Sequence, residues 1–155
     1  MADQALNILH AIHDRLLDHT ADGFVLEQIR QFYVRRTDEE DFPTEFAFPF
    51  LYVYADAGSG EEASIPACMT RKQLPVTFQV FTGQGSGQHD LSAARLIDLI
   101  EDTFFQQQLG ISNLLIHYAG KNYDTPIDVP FSEWVQAAAG LTYIYEYTDA
   151  RSMPT

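Results

Sequence analysis

The fold is predicted first from residues 75–82, Pro75-Val76-Thr77-Phe78-Gln79-Val80-Phe81-Thr82. Apolar and polar side chains alternate along this short segment. In an extended chain Val76, Phe78 and Val80 lie on one side, and Thr77 and Gln79 lie on the other. This alternation is typical of a strand that has one buried face. The segment therefore predicts a sheet that carries its core on one side.

Several other segments show strand patterns, and residues 46–55 are apolar or aromatic on both sides. Residues 46–55 and residues 140–148 are the clearest of these predicted strands. Residues 114–118 predict a short strand, residues 64–71 a short extension, and residues 24–36 an extended segment rich in strand-forming side chains. In the two clearest strands the members of one side alternate with those of the other: Leu51, Val53 and Ala55 against Phe50, Tyr52 and Tyr54, and Leu141, Tyr143, Tyr145 and Tyr147 against Thr142, Ile144 and Glu146.

Two segments show the three- and four-residue spacing of amphipathic helices. The first begins after Asp3, a favourable N-cap residue, and runs to about His19. The second begins at Asp90, runs to about Gln107, and ends before Gly110. The predicted apolar faces comprise Leu6, Leu9, Ile12, Leu16 and Leu17 in the first helix, and Ala93, Leu96, Ile97, Ile100 and Phe104 in the second.

The order of these segments predicts an α+β fold. We expect a single mainly antiparallel or mixed β-sheet with two α-helices packed on one face. Neither a repeat nor a linker divides the 155 residues, so residues 1–155 are predicted to form one domain.

Composition excludes several classes of partner. The chain has 22 Asp or Glu residues against nine Lys or Arg residues, a formal net charge of -13, and this acidity disfavours binding to nucleic acid or to anionic membranes. No apolar run approaches the ~20 residues of a membrane-spanning helix. A single cysteine, Cys68, and a start that lacks a secretory signal predict a cytosolic origin.

The sequence predicts no catalytic, cofactor or metal site, and therefore a protein that is not an enzyme. His10 and His13 lie one helical turn apart beside Asp14, but no second ligand pair completes a metal site. The acid pairs Glu61-Glu62 and Glu101-Asp102 are predicted to be solvated. The Gly-rich loop from Gly83 to His89 fits no phosphate-binding fingerprint, and it leaves open the alternative of a small acidic ligand-binding domain or enzyme.

Negative charge is concentrated in the loops around one predicted strand. No Lys or Arg occurs between Arg36 and Arg71. We expect these loops to repel polyanions from one end of the sheet. The acidic residues that carry this prediction are Asp38, Glu39, Glu40, Asp41, Asp56, Glu61 and Glu62.

Aromatic residues occupy both faces of the predicted sheet, whereas two helices can cover only one face. An uncovered aromatic face is a candidate interface. In the alternative interpretation, the segment 24–34 or the long loops cover that face, and both interpretations stay open. The candidate interface residues are Tyr52, Tyr54, Tyr143, Tyr145 and Tyr147.

In its order of elements the chain resembles the tail terminator (tail-completion) proteins of long-tailed bacteriophages, the family that includes the lambda minor tail protein U. The likeness covers nearly the whole length and depends on no invariant motif. It is carried by the helix at 5–17, the strands Phe50-Leu51-Tyr52-Val53-Tyr54 and Pro75-Val76-Thr77-Phe78-Gln79-Val80, the helix at 93–100, and the final strand Leu141-Thr142-Tyr143-Ile144-Tyr145-Glu146-Tyr147.

The resemblance implies a hexameric ring that caps the tail tube, ends its polymerisation and offers a joining surface to the head connector. It implies a location in the virion, at the tail neck, after assembly in the host cytoplasm. DNA would pass through the ring without being bound, and an acidic lumen suits that passage because carboxylates repel phosphates. Another neck or head-completion protein is the alternative within the same class.

Overall fold

Helices and strands follow one another along the chain in the order α1, β1, β2, β3, β4, α2, β5, β6. The structure is a computed structural model, and it describes residues 4–21, 23, 26, 29–35, 47–55, 63–65, 69–83, 90–104, 109–111, 114–123 and 135–150. The elements are α1 (Gln4–His19), β1 (Gln31–Arg35), β2 (Phe50–Ala55), β3 (Ala63–Ile65), β4 (Met69–Gly83), α2 (Asp90–Phe104), β5 (Leu115–Asn122) and β6 (Val135–Ala150).

The described strands form one mixed sheet, which confirms the predicted α+β fold. Five of them lie side by side in the order β1-β2-β4-β6-β5, and β3 pairs with the first residues of β4. β1 runs parallel to β2, while all other neighbours are antiparallel. The alternating segment at 75–82 thus lies in β4, between β2 and β6.

β4 and β6 are much longer than predicted and are the two longest strands of the sheet. Their pairing runs from Met69 opposite Ala150 to Gly83 opposite Val135. Pro75 lies inside β4, where a proline would normally interrupt pairing because it has no amide hydrogen. The pairing of β4 with β2 ends at Val76, and its pairing with β3 ends at Arg71. Pro75 lies between these two points and therefore interrupts neither pairing.

Both helices pack on the same face of the sheet, as predicted. The α1 residues Ile8, Leu9, Ile12 and Leu16 are buried, and so are the five apolar residues predicted for α2. One prediction for α1 is wrong: Leu17 is 55% exposed. Ile8 and not Leu17 completes the buried face of the helix.

Phe78 marks the centre of this helix-covered core. Its ring lies 4.9 Å from the Phe104 ring of α2 and 6.3 Å from the Tyr143 ring of β6, and its side chain is fully buried. Removing such a ring leaves a cavity that the surroundings fill only in part. We expect Phe78→Ala to cost about 3–5 kcal/mol of folding free energy.

A contact between the helix ends joins α1 to α2. The Arg15 Nε atom donates a hydrogen bond of 2.8 Å to the Thr103 carbonyl, and the Arg15 guanidinium lies 5.9 Å from the centre of the Phe104 ring. The last carbonyls of a helix have no partner within the helix. Arg15 therefore satisfies one of these carbonyls while it holds the two helices together.

The described strand within the segment predicted at 24–36, residues 31–35, extends the sheet and does not cover it. Within this segment the structure places β1 beside β2, so that Tyr33 stacks on Tyr52 at a ring distance of 6.2 Å on the face opposite the helices. The interpretation in which this segment lies across the sheet face is therefore wrong for the strand that is described. A second buried cluster on this face comprises Phe50, Tyr52, Phe81 and Ala138.

Candidate functional site

The face of the sheet opposite the helices is only partly buried. Near β1 and β2 it carries the second buried cluster, whereas near β5 it carries a mixed polar and apolar surface, which we call the open sheet face. Register places its residues on one side of three strands. The open sheet face comprises Thr77, Leu115, His117, Thr142, Ile144 and Glu146, and each of them is half-buried or exposed.

Cross-strand contacts order the open sheet face. The Thr77 and Thr142 hydroxyl oxygens lie 3.2 Å apart, and the His117 Nε2 atom lies 2.8 Å from a Glu146 carboxylate oxygen. Such pairs stabilise a sheet by up to about 1 kcal/mol each. Leu115 lies directly opposite Glu146 and is 43% exposed. The open sheet face therefore combines ordered polar groups with an accessible apolar side chain.

β5 forms an edge of the described sheet. Within the described residues it pairs with β6 alone, and a bulge interrupts that pairing between Tyr118 and Gly120. Tyr118 is 56% exposed and Tyr123, just beyond the strand, is 49% exposed. Edge strands with accessible apolar side chains are sites at which another strand can add to a sheet.

A group of charged and aromatic side chains, which we call the Lys121 clasp, fastens β5 to α2. The Lys121 ammonium donates hydrogen bonds to Asp98 at 2.8 Å and to Glu101 at 3.0 Å. The Tyr123 hydroxyl donates to the same Asp98 oxygen at 2.8 Å, and the Lys121 ammonium lies 5.1 Å from the centre of the Tyr123 ring. The clasp thus holds the edge strand in place over the helix.

The clasp changes the acidity of its members. The hydrogen bond from Lys121 lowers the pKa of Asp98 below its ordinary value of 3.8, and the same bond raises the pKa of Lys121 above 10.5. Both groups are therefore charged at neutral pH. Glu101 was predicted to be solvated, but it is half-buried and bound to Lys121, so this part of the prediction is wrong; its neighbour Asp102 is exposed.

The five tyrosines of the predicted interface separate into two groups. Tyr143, Tyr145 and Tyr147 lie on the helix-covered face and are buried, which corrects the prediction that they contribute to an uncovered face. The physical reason is register: these three residues lie opposite Val76, Leu74 and Lys72 of β4, on the same side as Phe78. Burial raises the pKa of Tyr143 to about 12.

Tyr52 and Tyr54 do lie on the face away from the helices. Their ring centres are 5.0 Å apart; Tyr52 is buried, whereas Tyr54 is half-buried. A hydrogen bond with Tyr52 raises the pKa of Arg35, which extends from β1 at the same end of the sheet. Their role as interface residues stays a prediction.

The acidic residues singled out from the sequence, Asp38, Glu39, Glu40, Asp41, Asp56, Glu61 and Glu62, lie outside the described residues. The loop from Gly83 to His89 is described only at Gly83. No group of three or more His, Cys, Asp or Glu side chains in the described ranges is placed to hold a metal ion.

Sequence reasoning missed most of this site. The residues that give the β5 edge and the clasp their character are Leu115, His117, Tyr118 and Lys121, and none of them was a predicted site residue. The strand at 114–118 was predicted, but whether it lies at an edge depends on pairing and not on its own pattern. One signal in the sequence could have indicated the clasp: the chain has only two lysines, and so rare a cation is expected to pair with a carboxylate.

No protein-family model matches the sequence, and no curated protein matches it either. Among the helices of the described ranges, none combines the length and the apolar character required to cross a membrane.

Proposed function

We propose that the protein is a structural component of a phage tail. It forms a ring that caps the tail tube, ends the polymerisation of the tube and provides the head-tail joining surface. One observation carries the proposal: both helices cover the same face of the sheet, whereas Leu115 on the open sheet face and Tyr118 at the β5 edge are exposed and therefore available for contact with a neighbour. A protein that acts by assembly needs such a surface and needs no catalytic constellation.

The charge of the chain supports the same function. A ring through which DNA passes must not bind phosphates, and a chain with a net charge of -13 repels them. The order of elements, helix before strands and a second helix before the last strands, is the feature on which the resemblance to that family depends. The protein then acts in the virion, at the tail neck, with the tail-tube protein and the head connector as partners.

A tube-termination assay tests this proposal. Tail-tube protein encoded near this chain is polymerised with increasing amounts of the purified protein, and tube lengths are measured by electron microscopy. We expect growth to stop at low ratios of protein to tube subunit, with density added at one tube end. An unrelated acidic protein of similar size is the control for charge. Tubes of unchanged length with bare ends would contradict the proposal. A protein that binds the head connector and not the tube would instead be a head-completion protein.

A further inference from the structure

Within the described residues, β5 is an edge strand that has few of the features that protect an edge against pairing. Natural edge strands are commonly protected by charged side chains that project into solvent, by proline, or by bulges. β5 contains one bulge, no proline and one lysine, and that lysine is bound to Asp98 and Glu101 of α2. Before the bulge, residues 115–118 form a short regular stretch of strand.

The exposed side chains of β5 are mostly uncharged. Leu115 is accessible on the open sheet face, and Tyr118 is accessible on the helix side of the same edge, so both faces of the strand offer apolar area next to the backbone. His117 contacts Glu146 of its own chain. A strand placed alongside β5 would therefore cover apolar surface on both faces while it forms backbone hydrogen bonds.

The distribution of charge indicates which partner can approach. Residues 103–123 contain neither Asp nor Glu, although the whole chain contains 22 of them. The carboxylates that contact β5 side chains are already bound, Asp98 and Glu101 to Lys121, and Glu146 to His117. Two copies of a chain with a net charge of -13 repel each other, and they repel least at segments that contain no carboxylates.

We infer that β5 of one copy pairs with a strand of a second copy of this chain, so that the sheet continues across the boundary between subunits. The inference rests on the proposed self-assembly and names the surface that carries it. Backbone hydrogen bonds supply direction, and Leu115 and Tyr118 supply apolar contact. Salt strengthens the contact, because it screens the repulsion between the acidic remainders of the two copies.

Two exposed leucines provide a matched pair of variants. Leu115→Lys places a charge on the β5 edge, and inside the chain the new lysine lies opposite Glu146, which favours the folded subunit. Leu17→Lys makes the same change on α1, at a position of similar exposure. Analytical ultracentrifugation is expected to show self-association at least about ten-fold weaker for Leu115→Lys, because pairing must desolvate the charge, and unchanged for Leu17→Lys. Unchanged melting temperatures establish that both variants fold.

Cross-linking identifies the contact directly. A photoreactive phenylalanine analogue replaces Tyr118, and this protein is mixed with isotope-labelled wild-type protein before irradiation. Mass spectrometry is expected to find cross-linked peptides that join a labelled chain to an unlabelled chain.

The outcomes separate this inference from the proposed function. If the protein assembles, Leu115→Lys assembles as well as wild type, and Tyr118 forms no cross-link between copies, then β5 is not the contact while ring formation through another surface stands. If wild-type protein is a monomer under every condition, both the inference and the proposed function fail.

Discussion

The Lys121 ammonium lies 2.8 Å from a carboxylate oxygen of Asp98, although 23 residues separate the two in sequence. This contact joins the edge strand β5 to α2, and Glu101 and Tyr123 complete it. The accessible edge of the sheet is thus held by charge on its helix side. Of the clasp residues, Asp98, Glu101 and Lys121 are half-buried and Tyr123 is exposed.

Removal of the clasp cation should destabilise the fold. In Lys121→Met the Asp98 and Glu101 carboxylates lose their shared partner and repel each other. Because Asp98 is half exposed, water replaces much of the lost interaction, and we expect a loss of about 1 kcal/mol in unfolding free energy, measured by chemical denaturation. Arg95→Met, on the exposed side of the same helix, changes the net charge equally and is expected to cost less than about 0.5 kcal/mol. Equal losses for the two variants would contradict the role of the clasp.

The clasp also predicts a pH dependence of stability. Asp98 has a lowered pKa in the folded chain, so its contribution is present above 3.8 and is lost as pH falls through the lowered value. Lys121 has a raised pKa, so its contribution is present below 10.5 and is lost as pH rises through the raised value. The difference in unfolding free energy between wild type and Lys121→Met should therefore be constant near neutral pH and shrink at both extremes. A difference that is the same at acid and neutral pH would exclude this explanation.

Gly83 is required at the end of β4 because a side chain there has no room. A Cβ atom at this position would lie 2.8 Å from the Phe48 ring and 2.9 Å from the Phe48 Cβ atom. Gly83→Ala forces Phe48 to move together with its Cβ atom, because rotation of the ring alone does not relieve the contact. The variant should lose about 1–3 kcal/mol of unfolding free energy, measured as a lower melting temperature. The double variant Gly83→Ala with Phe48→Ala should lose less stability than the sum of the single variants. Additive losses would show that the two positions are not in conflict.

Tyr145 has a buried hydroxyl group that finds no hydrogen-bond partner in the described part of the chain. Burial raises the pKa of this group, so the neutral form is retained. A buried polar group without a partner costs about 1–3 kcal/mol. Tyr145→Phe should therefore leave the unfolding free energy unchanged or increase it by about 1 kcal/mol. Tyr143→Phe is the control, because its hydroxyl donates a 3.5 Å bond to the Glu101 carbonyl; a marked loss in Tyr145→Phe alone would mean that its hydroxyl has a partner.

Local patterns were sufficient to predict the helices and the alternating strands. The α2 face Ala93, Leu96, Ile97, Ile100 and Phe104 was predicted completely, because a period of 3.6 residues places these side chains on one side whatever lies opposite. The alternation in β4 and β6 was equally clear. The bounds of β6 were not, because Ala137-Ala138-Ala139 has little strand propensity and becomes a strand through its pairing with β4.

The candidate site depends on contacts that no local pattern contains. Which face of β6 the helices cover is decided by register with β4, and that register buries Tyr143 while it leaves Ile144 half-buried on the open sheet face. The pairing of Lys121 with Asp98 crosses from a strand to a helix, and sequence spacing has no information about it. An edge is a property of the whole sheet, so β5 was predictable as a strand and not as an edge.

Self-association underlies both the proposed ring and the proposed β5 contact, and the molar mass in solution measures it. Light scattering coupled to size separation, across a range of protein and salt concentrations and with tail-tube protein added, measures that mass. We predict a single discrete species several times the 17.5 kDa of the chain, more abundant at higher salt because screening reduces repulsion between acidic copies. A mass of 17.5 kDa under every one of these conditions would exclude self-association.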